Sequence, residues 1–271
     1  LRPSLTSPGR ATSGRAALET EVQSEMLRSL HRFLVGVETD AVSALDAPVL
    51  LAAAVQNPGE PFTLGKVLTR WQQAVQRMMR RVARGFLPEQ ELTPLTETYL
   101  SGALQRLTGH SLPDLAYRAV LEVLSAGAEQ MWTQRRIKRN LTVALNPDTG
   151  TALRTSAPDG TSGMTTTGQS WDDIVKRIAR TEATAAYNVS QLNQLNAAGH
   201  TSKQWVSHHD KRTRHTHAEA DGQVVPTDQP FFVGGVVMQY PGDPAGPARE
   251  SANCRCVVVA AGESQSVRKP R

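Results

Sequence analysis

Four of the seven histidines and both cysteines of this 271-residue chain fall in two short bursts near its C-terminal end. The first burst is W-V-S-H-H-D-K-R-T-R-H-T-H-A-E-A-D-G, Trp205 to Gly222, which holds His208, His209, His215 and His217. The second is N-C-R-C, with Cys254 and Cys256 one residue apart. Three chemistries fit these groups. Thiolate and imidazole are the donors of a closed zinc site, and His215, His217, Cys254 and Cys256 are the candidate ligands. The C-x-C and H-x-H spacings are not the usual C-x₂-C pairs of such sites. A His and Asp pair could instead serve as base and orienter in a metal-assisted nuclease, although no nucleophile or open metal position is visible. In the third reading, the preferred one, the cluster is a polar network that pins loops where apolar burial is scarce. Asp210 would then accept from Arg212 or Arg214 and from backbone N–H groups. His217 would bridge to the strand bearing the cysteines, which would be small buried side chains.

A disulfide between positions i and i+2 is geometrically awkward, and there is no third cysteine, so the thiols imply a reducing compartment. The longest apolar run, Ala47 to Val55, falls far short of the ~18 residues of a membrane span. The chain therefore reads as soluble and intracellular, with no membrane partner. It carries a formal charge of +5 and only 5% aromatic residues, so its core must lean on Ala, Leu and Val, which suits helices. The basic excess admits nucleic acid as a partner without requiring it.

The elements that must position the two bursts follow from periodicity. Residues 1–15 are rich in Pro, Ser, Gly and Thr and read as a flexible arm. From Ala16, apolar residues Leu18, Val22, Met26, Leu30, Phe33, Leu34 and Val37 recur at helical spacing. A second helix starts after the N-cap Thr63, with an apolar stripe at Leu64, Val67, Leu68, Trp71, Val75, Met78, Val82 and Phe86. Its other side carries Lys66, Arg70, Arg77, Arg80, Arg81 and Arg84, a candidate face for DNA or a protein partner and otherwise a solvated surface. Helices are expected over 89–107 and from Leu112 to about Lys138, closed by the basic cluster Arg135, Arg136, Lys138 and Arg139. Residues 146–169 read as a linker or long loop that divides a helical domain (16–145) from a C-terminal domain (170–260), with a tail at 261–271. The C-terminal domain opens with a helix from Ser170 to about Ala198, stopped at Gly199. Short strands then fall near 205–207, 223–225, 236–240 and 254–259. The fold class is α+β: an all-α N-terminal half and a small α+β C-terminal domain.

The order of pieces in that domain is specific. It runs A-R-T-E at Ala179 to Glu182, Trp205, Asp210, Arg214 with His217 three positions on, Asp221-Gly222, Tyr240-Pro241-Gly242-Asp243-Pro244, and Asn253-Cys254-Arg255-Cys256. This resembles the phage Mu F-like head-morphogenesis family, over about Trp171 to Val259. The resemblance implies a minor head protein of a tailed phage, present in few copies at the portal vertex. It implies partners in the portal protein or the inner capsid surface, and double-stranded DNA bound without sequence preference. Its place would be the virion, and the host cytoplasm during assembly. It also implies that Asp210, Arg214, His217, Asn253, Cys254 and Cys256 carry over as a structural motif. The same domain occurs in bacterial toxins ahead of a toxic payload. The tail after Val259 is too short for one, so the chain is expected not to be an enzyme. A metal-dependent nuclease or toxin-related fragment is the alternative.

Overall fold

The computed structural model describes residues 8–45, 62–86, 93–109, 111–146, 151–155 and 164–262. The elements are α1 (Pro8–Leu45), α2 (Leu64–Phe86), α3 (Pro94–Thr108), α4 (Leu112–Glu129), α5 (Gln134–Ala144), β1 (Thr151–Thr155), β2 (Met164–Ser170) and α6 (Trp171–Ala197). After these come β3 (Ser202–Val206), α7 (His215–Glu219), β4 (Val224–Pro226), β5 (Phe231–Val233), β6 (Val236–Met238), α8 (Ala248–Ser251) and β7 (Val257–Ala260). The α+β class holds. Among the described residues no helix is long and apolar enough to cross a membrane.

By contacts the chain divides into two compact units, and neither matches the sequential partition. One takes Leu1–Glu25, Met79–Arg106 and Lys176–Arg271; the other takes Met26–Met78 and Leu107–Val175. The division cuts α1, α2, α3 and α6 within their lengths.

Two stretches expected to be irregular are ordered. Helix α1 starts at Pro8, inside the proposed arm, with proline at the first position where its missing N–H costs nothing. Arg15 is buried there with a 2.7 Å ion pair to Glu19, and a Cβ on Gly14 would meet the Tyr187 hydroxyl at 3.1 Å. Within 146–169, β1 and β2 pair antiparallel, so part of the proposed linker is a hairpin. Residues 147–150 and 156–163 of that stretch lie outside the described residues, as do the stop signal Asn57-Pro58-Gly59 and most of the tail.

The Met26–Met78 and Leu107–Val175 unit is built on aromatic anchors. Trp71 packs edge-on to Phe33 with ring centres 5.4 Å apart and donates its indole N–H to the Leu107 carbonyl at 2.7 Å. Thr63 caps α2 as expected, accepting from the Lys66 N–H. Leu68, placed in the apolar stripe by spacing, is exposed instead. The single helix expected from Leu112 to Lys138 is two. Met131 turns left-handed at φ 47°, and Thr133 starts α5 by accepting from the Arg136 N–H. A Cβ at Gly127 would come within 2.9 Å of Ile137, so glycine is what lets this break fold back.

In the other unit, β3 is the centre of a three-stranded antiparallel sheet in the order β4-β3-β7, with Trp205 opposite Val258. Strands β5 and β6 form a separate hairpin through Gly234 and Gly235, both at positive φ. The sequence reading had passed over β5, although a Gly-Gly pair between Phe-Phe-Val and Val-Val is a hairpin signal. The cysteines, expected inside the last strand, stand just before it. Lys203 on β3 is buried, its ammonium donating to the Gln239 carbonyl at 2.9 Å, and burial pulls its pKa down to about 8.

Candidate functional site

Helix α6 organises the site. Ser170 and Asp173 cap its start reciprocally: the Asp173 N–H reaches the Ser170 hydroxyl at 3.1 Å, and the Asp173 carboxylate accepts from the Ser170 N–H at 3.3 Å. Further along, a buried polar seam holds the segment 253–258. The Asn253 N–H donates to the Thr181 hydroxyl (2.8 Å), and the Thr184 hydroxyl donates to the Cys254 carbonyl (2.6 Å). The Asn188 amide donates to the Cys256 carbonyl (3.1 Å) and accepts from the Val258 N–H (2.8 Å). Gln191 reaches the Val258 carbonyl at 3.5 Å. The repeat is commensurate. From Thr181 to Gln191 a helix rises about 15 Å, and extended backbone from Asn253 to Val258 advances about 17 Å.

The Tyr240-Pro241-Gly242-Asp243 turn closes on the same helix. The Asp243 N–H bonds the Tyr240 carbonyl at 3.1 Å, and Gly242 takes φ 82°, the positive value that the third position of a type II turn needs. A Cβ on Gly242 would lie 3.2 Å from the Ala185 nitrogen, so the turn sits directly on the helix backbone. The Pro241 carbonyl accepts the other Asn188 N–H at 2.8 Å.

The seam sets the two cysteines against His217, which α7 supplies. Its Nδ1 lies 3.3 Å from the Cys256 sulfur and 3.7 Å from the Cys254 sulfur. On its other side, Nε2 is 3.2 Å from a Glu250 carboxylate oxygen, itself fixed by the Thr216 hydroxyl at 2.8 Å. The Trp205 ring stands edge-on to the imidazole, centres 5.5 Å apart. All three are buried, and the cysteines are free thiols. Burial pushes the Cys254 thiol up, but hydrogen bonds with Cys256 and His217 outweigh it and hold it well below the usual thiol range. Cys256 is driven the other way, first by its bond to Cys254 and then by burial. Three of the four proposed ligands therefore meet. His215 does not: its side chain is 86% exposed and faces Glu219 one turn along.

Asp210, Arg214 and Asn253 are tied down as well, and Asp210 keeps its expected partner Arg212, whose Nε stands 3.8 Å from the carboxylate, while gaining a closer one. Asp210 is gripped at both oxygens by Arg255, each contact 2.5 Å, and accepts from the Arg212 N–H at 2.9 Å. Arg214 instead donates to the Ala252 carbonyl. Asn253, at φ 58°, accepts from Arg180, which also pairs with Glu19. The Arg255 guanidinium, helped by the Arg212 N–H, holds the Asp210 carboxyl well below its ordinary 3.8. A carboxylate depressed on folding contributes stability above its unfolded pKa and loses it as pH falls through the folded one. Asp210→Asn should therefore flatten the acid limb of the stability profile below about pH 4, as read by thermal melts at successive pH values. Parallel acid limbs for the two proteins would show that the pair does not form.

The basic helix face is less uniform than its sequence. Lys66 and Arg77 are exposed on α2, but Arg70 is tied to Asp40 through two contacts of 2.5 and 2.7 Å. The side chains of Arg80, Arg81 and Arg84 lie outside the described residues. On α5, Arg135, Arg136 and Arg139 are exposed, with Arg136 4.3 Å over the Trp132 ring.

The helix α6 and the Asn-Cys-Arg-Cys segment both lie within the stretch that a family comparison matches. The model of the family described as Phage Mu protein F like protein matches residues 118–259, and the chain belongs to that family. Membership places it among phage head-morphogenesis proteins. The chain is also 37% identical over 87 residues to a protein of Enterococcus faecalis (strain ATCC 700802 / V583) named NAD(+)--arginine ADP-ribosyltransferase EFV. That match covers 31% of this chain and 18% of the enterococcal protein, so the chain spans under a fifth of that relative's length. No solved structure matches. The expectation that the chain is not an enzyme is corrected by this relative, since part of the sequence recurs in a protein named for a catalytic activity. Chain length after the cysteines was the wrong criterion, because a shared domain does not report what accompanies it.

Proposed function

We propose that this protein is a minor structural component of a tailed-phage head that acts at the portal vertex, in head assembly and in handling or ejecting the packaged DNA. Family membership over residues 118–259 carries the reading. Its partners are the portal protein or inner capsid surface and double-stranded DNA, and it meets them in the host cytoplasm before entering the virion. Exposed cations on α2 (Lys66, Arg77) and α5 (Arg135, Arg136, Arg139) supply a sequence-independent DNA contact. Arg70 is left out of that face because Asp40 neutralises it.

Quantitative mass spectrometry of purified full and emptied virions, scaled to portal and major capsid proteins, tests this. A copy number close to that of the portal is expected, and absence from all particles would overturn the reading. In vitro, DNA binding should weaken steeply with salt, and charge reversal at Arg77, Arg135 and Arg139 should weaken it further without loss of fold. A binding curve insensitive to salt would remove DNA from the proposal.

The enterococcal relative favours a second reading, in which this domain is one part of a longer protein that ADP-ribosylates arginine. Transfer of labelled ADP-ribose from NAD to an arginine-rich acceptor by the full gene product would support it. Failure of that transfer with several acceptors would dismiss it.

A further inference from the structure

We infer that His217, Cys254 and Cys256 bind one zinc ion as a Cys₂His set. These three residues form the group of metal-binding side chains found among the described residues, with ligand atoms all within 4.8 Å of one another. The imidazole-to-sulfur spacing is that of two ligands on one tetrahedral ion. With Zn–S near 2.3 Å and Zn–N near 2.0 Å, adjacent ligand atoms stand about 3.5 to 3.8 Å apart. The observed His217 Nδ1 to sulfur distances are 3.3 and 3.7 Å.

Three further features fit a metal better than a chance meeting of small core residues. The ring presents Nδ1 to both sulfurs, while Nε2 is turned away from them, 3.2 Å from a Glu250 carboxylate oxygen. The Cys256 N–H points at the Cys254 sulfur at 3.4 Å, a contact that favours thiolate over thiol. The Cys254 carbonyl is held by Thr184 and the Cys256 carbonyl by Asn188, with Asn253 and Val258 tied to the same helix on either side, so the segment that bears the donors is fixed without an ion. Two sulfurs and one imidazole select a soft or borderline cation, and a tetrahedral set selects zinc among the abundant ones. On binding, sulfur lone pairs form the bonds to zinc and any proton still held by a thiol passes to solvent, with no redox change.

The test uses the full chain, expressed with zinc supplied, purified under a thiol-free reductant and dialysed against buffer free of metal. Elemental analysis should find about one zinc per chain. Treatment with an organomercurial should release that ion to a chromogenic chelator in step with modification of two thiols. Cobalt(II) put in place of zinc should give thiolate charge-transfer bands and the intense visible bands of a tetrahedral site. Cys254→Ser and Cys256→Ser should each lose the metal. Because either one disturbs the core, His215→Ala is the paired variant, and it should keep full stoichiometry. Protein that folds with no metal bound would overturn the inference, as would weak octahedral cobalt bands or metal lost on changing His215 alone. The site does not rest on the head-protein reading, so a metal-free result would leave that reading standing.

Discussion

Replacing Asn188 with alanine should destabilise its unit by about 3–4 kcal/mol. One side-chain amide satisfies three buried backbone groups: the carbonyls of Pro241 and Cys256 and the N–H of Val258. Asn188 is itself fully buried, at 0% exposure, so no solvent stands ready to replace it. Each stranded backbone group costs roughly 1–3 kcal/mol, less for carbonyls that can relax toward another donor. Asn188→Leu keeps the volume and should fare no better, which separates lost hydrogen bonds from a cavity. Gln194→Ala, three residues beyond the seam's last member on a half-buried face, should shift stability by under about 0.5 kcal/mol. Urea unfolding at equilibrium reads all three, with the midpoint moving and the slope unchanged. A loss below 1 kcal/mol for Asn188→Ala would mean that the turn and the cysteine segment find other partners, and that α6 does not set their register.

That seam also marks where sequence reasoning stopped. The apolar positions of α6 were legible at Ile174, Ile178, Ala185 and Leu192, and so were its caps at Ser170 and Gly199. Thr181, Thr184, Asn188 and Gln191 recur at the same helical spacing, but polar residues on a helix face ordinarily mean solvent. Only knowledge of an extended segment needing backbone partners would turn that stripe inward. The two segments are some seventy residues apart in sequence, as Asn188 and Val258 show, and periodicity carries no information over that range. The same limit applies at Asp210. Asp210 does pair with Arg212, at 3.8 Å, as nearness in sequence suggests, but its two shortest contacts go to Arg255, 45 positions on. Arg212 is the looser partner because its side chain is 71% exposed, whereas that of Arg255 is 9% exposed.

Chemistry by residue type did better than chemistry by spacing. His217, Cys254 and Cys256 were singled out as soft donors, and the structure brings them together even though C-x-C and H-x-H match no familiar pattern. The spacing argument erred only in including His215. In a helix, residues i and i+2 point to different sides, so one turn can offer His217 inward only by turning His215 out. The fold class was legible for a similar reason. Period-3.6 stripes and Gly/Pro-punctuated short strands are local signals, while the division into two units depends on which faces meet.

Removing Arg106 should be the most pH-dependent lesion in the molecule. Its Nε and Nη2 both reach one oxygen of Glu182, at 3.2 and 2.9 Å, and Nη2 also reaches the other at 2.9 Å. Glu182 is 3% exposed, and burial raises its pKa above the ordinary 4.5 despite the guanidinium beside it. In the wild type the folded state therefore holds this proton more tightly than the unfolded chain does. The group's contribution is greatest below the unfolded value near 4.5 and is lost as pH rises to the folded one. Arg106→Ala takes away the opposing charge, raises the folded pKa further and leaves a buried carboxylate alone at neutral pH. The expected loss is about 3–5 kcal/mol at pH 7, shrinking as pH falls toward 4.5 and the carboxyl enters the fold neutral. Adding Glu182→Gln should restore part of the loss at pH 7, because the amide strands no charge. Urea midpoints for both variants at pH 7 and pH 5 decide the matter. A loss equal at the two pH values would show that Glu182 is hydrated once Arg106 is gone, and that the ion pair between α3 and α6 contributes packing rather than charge.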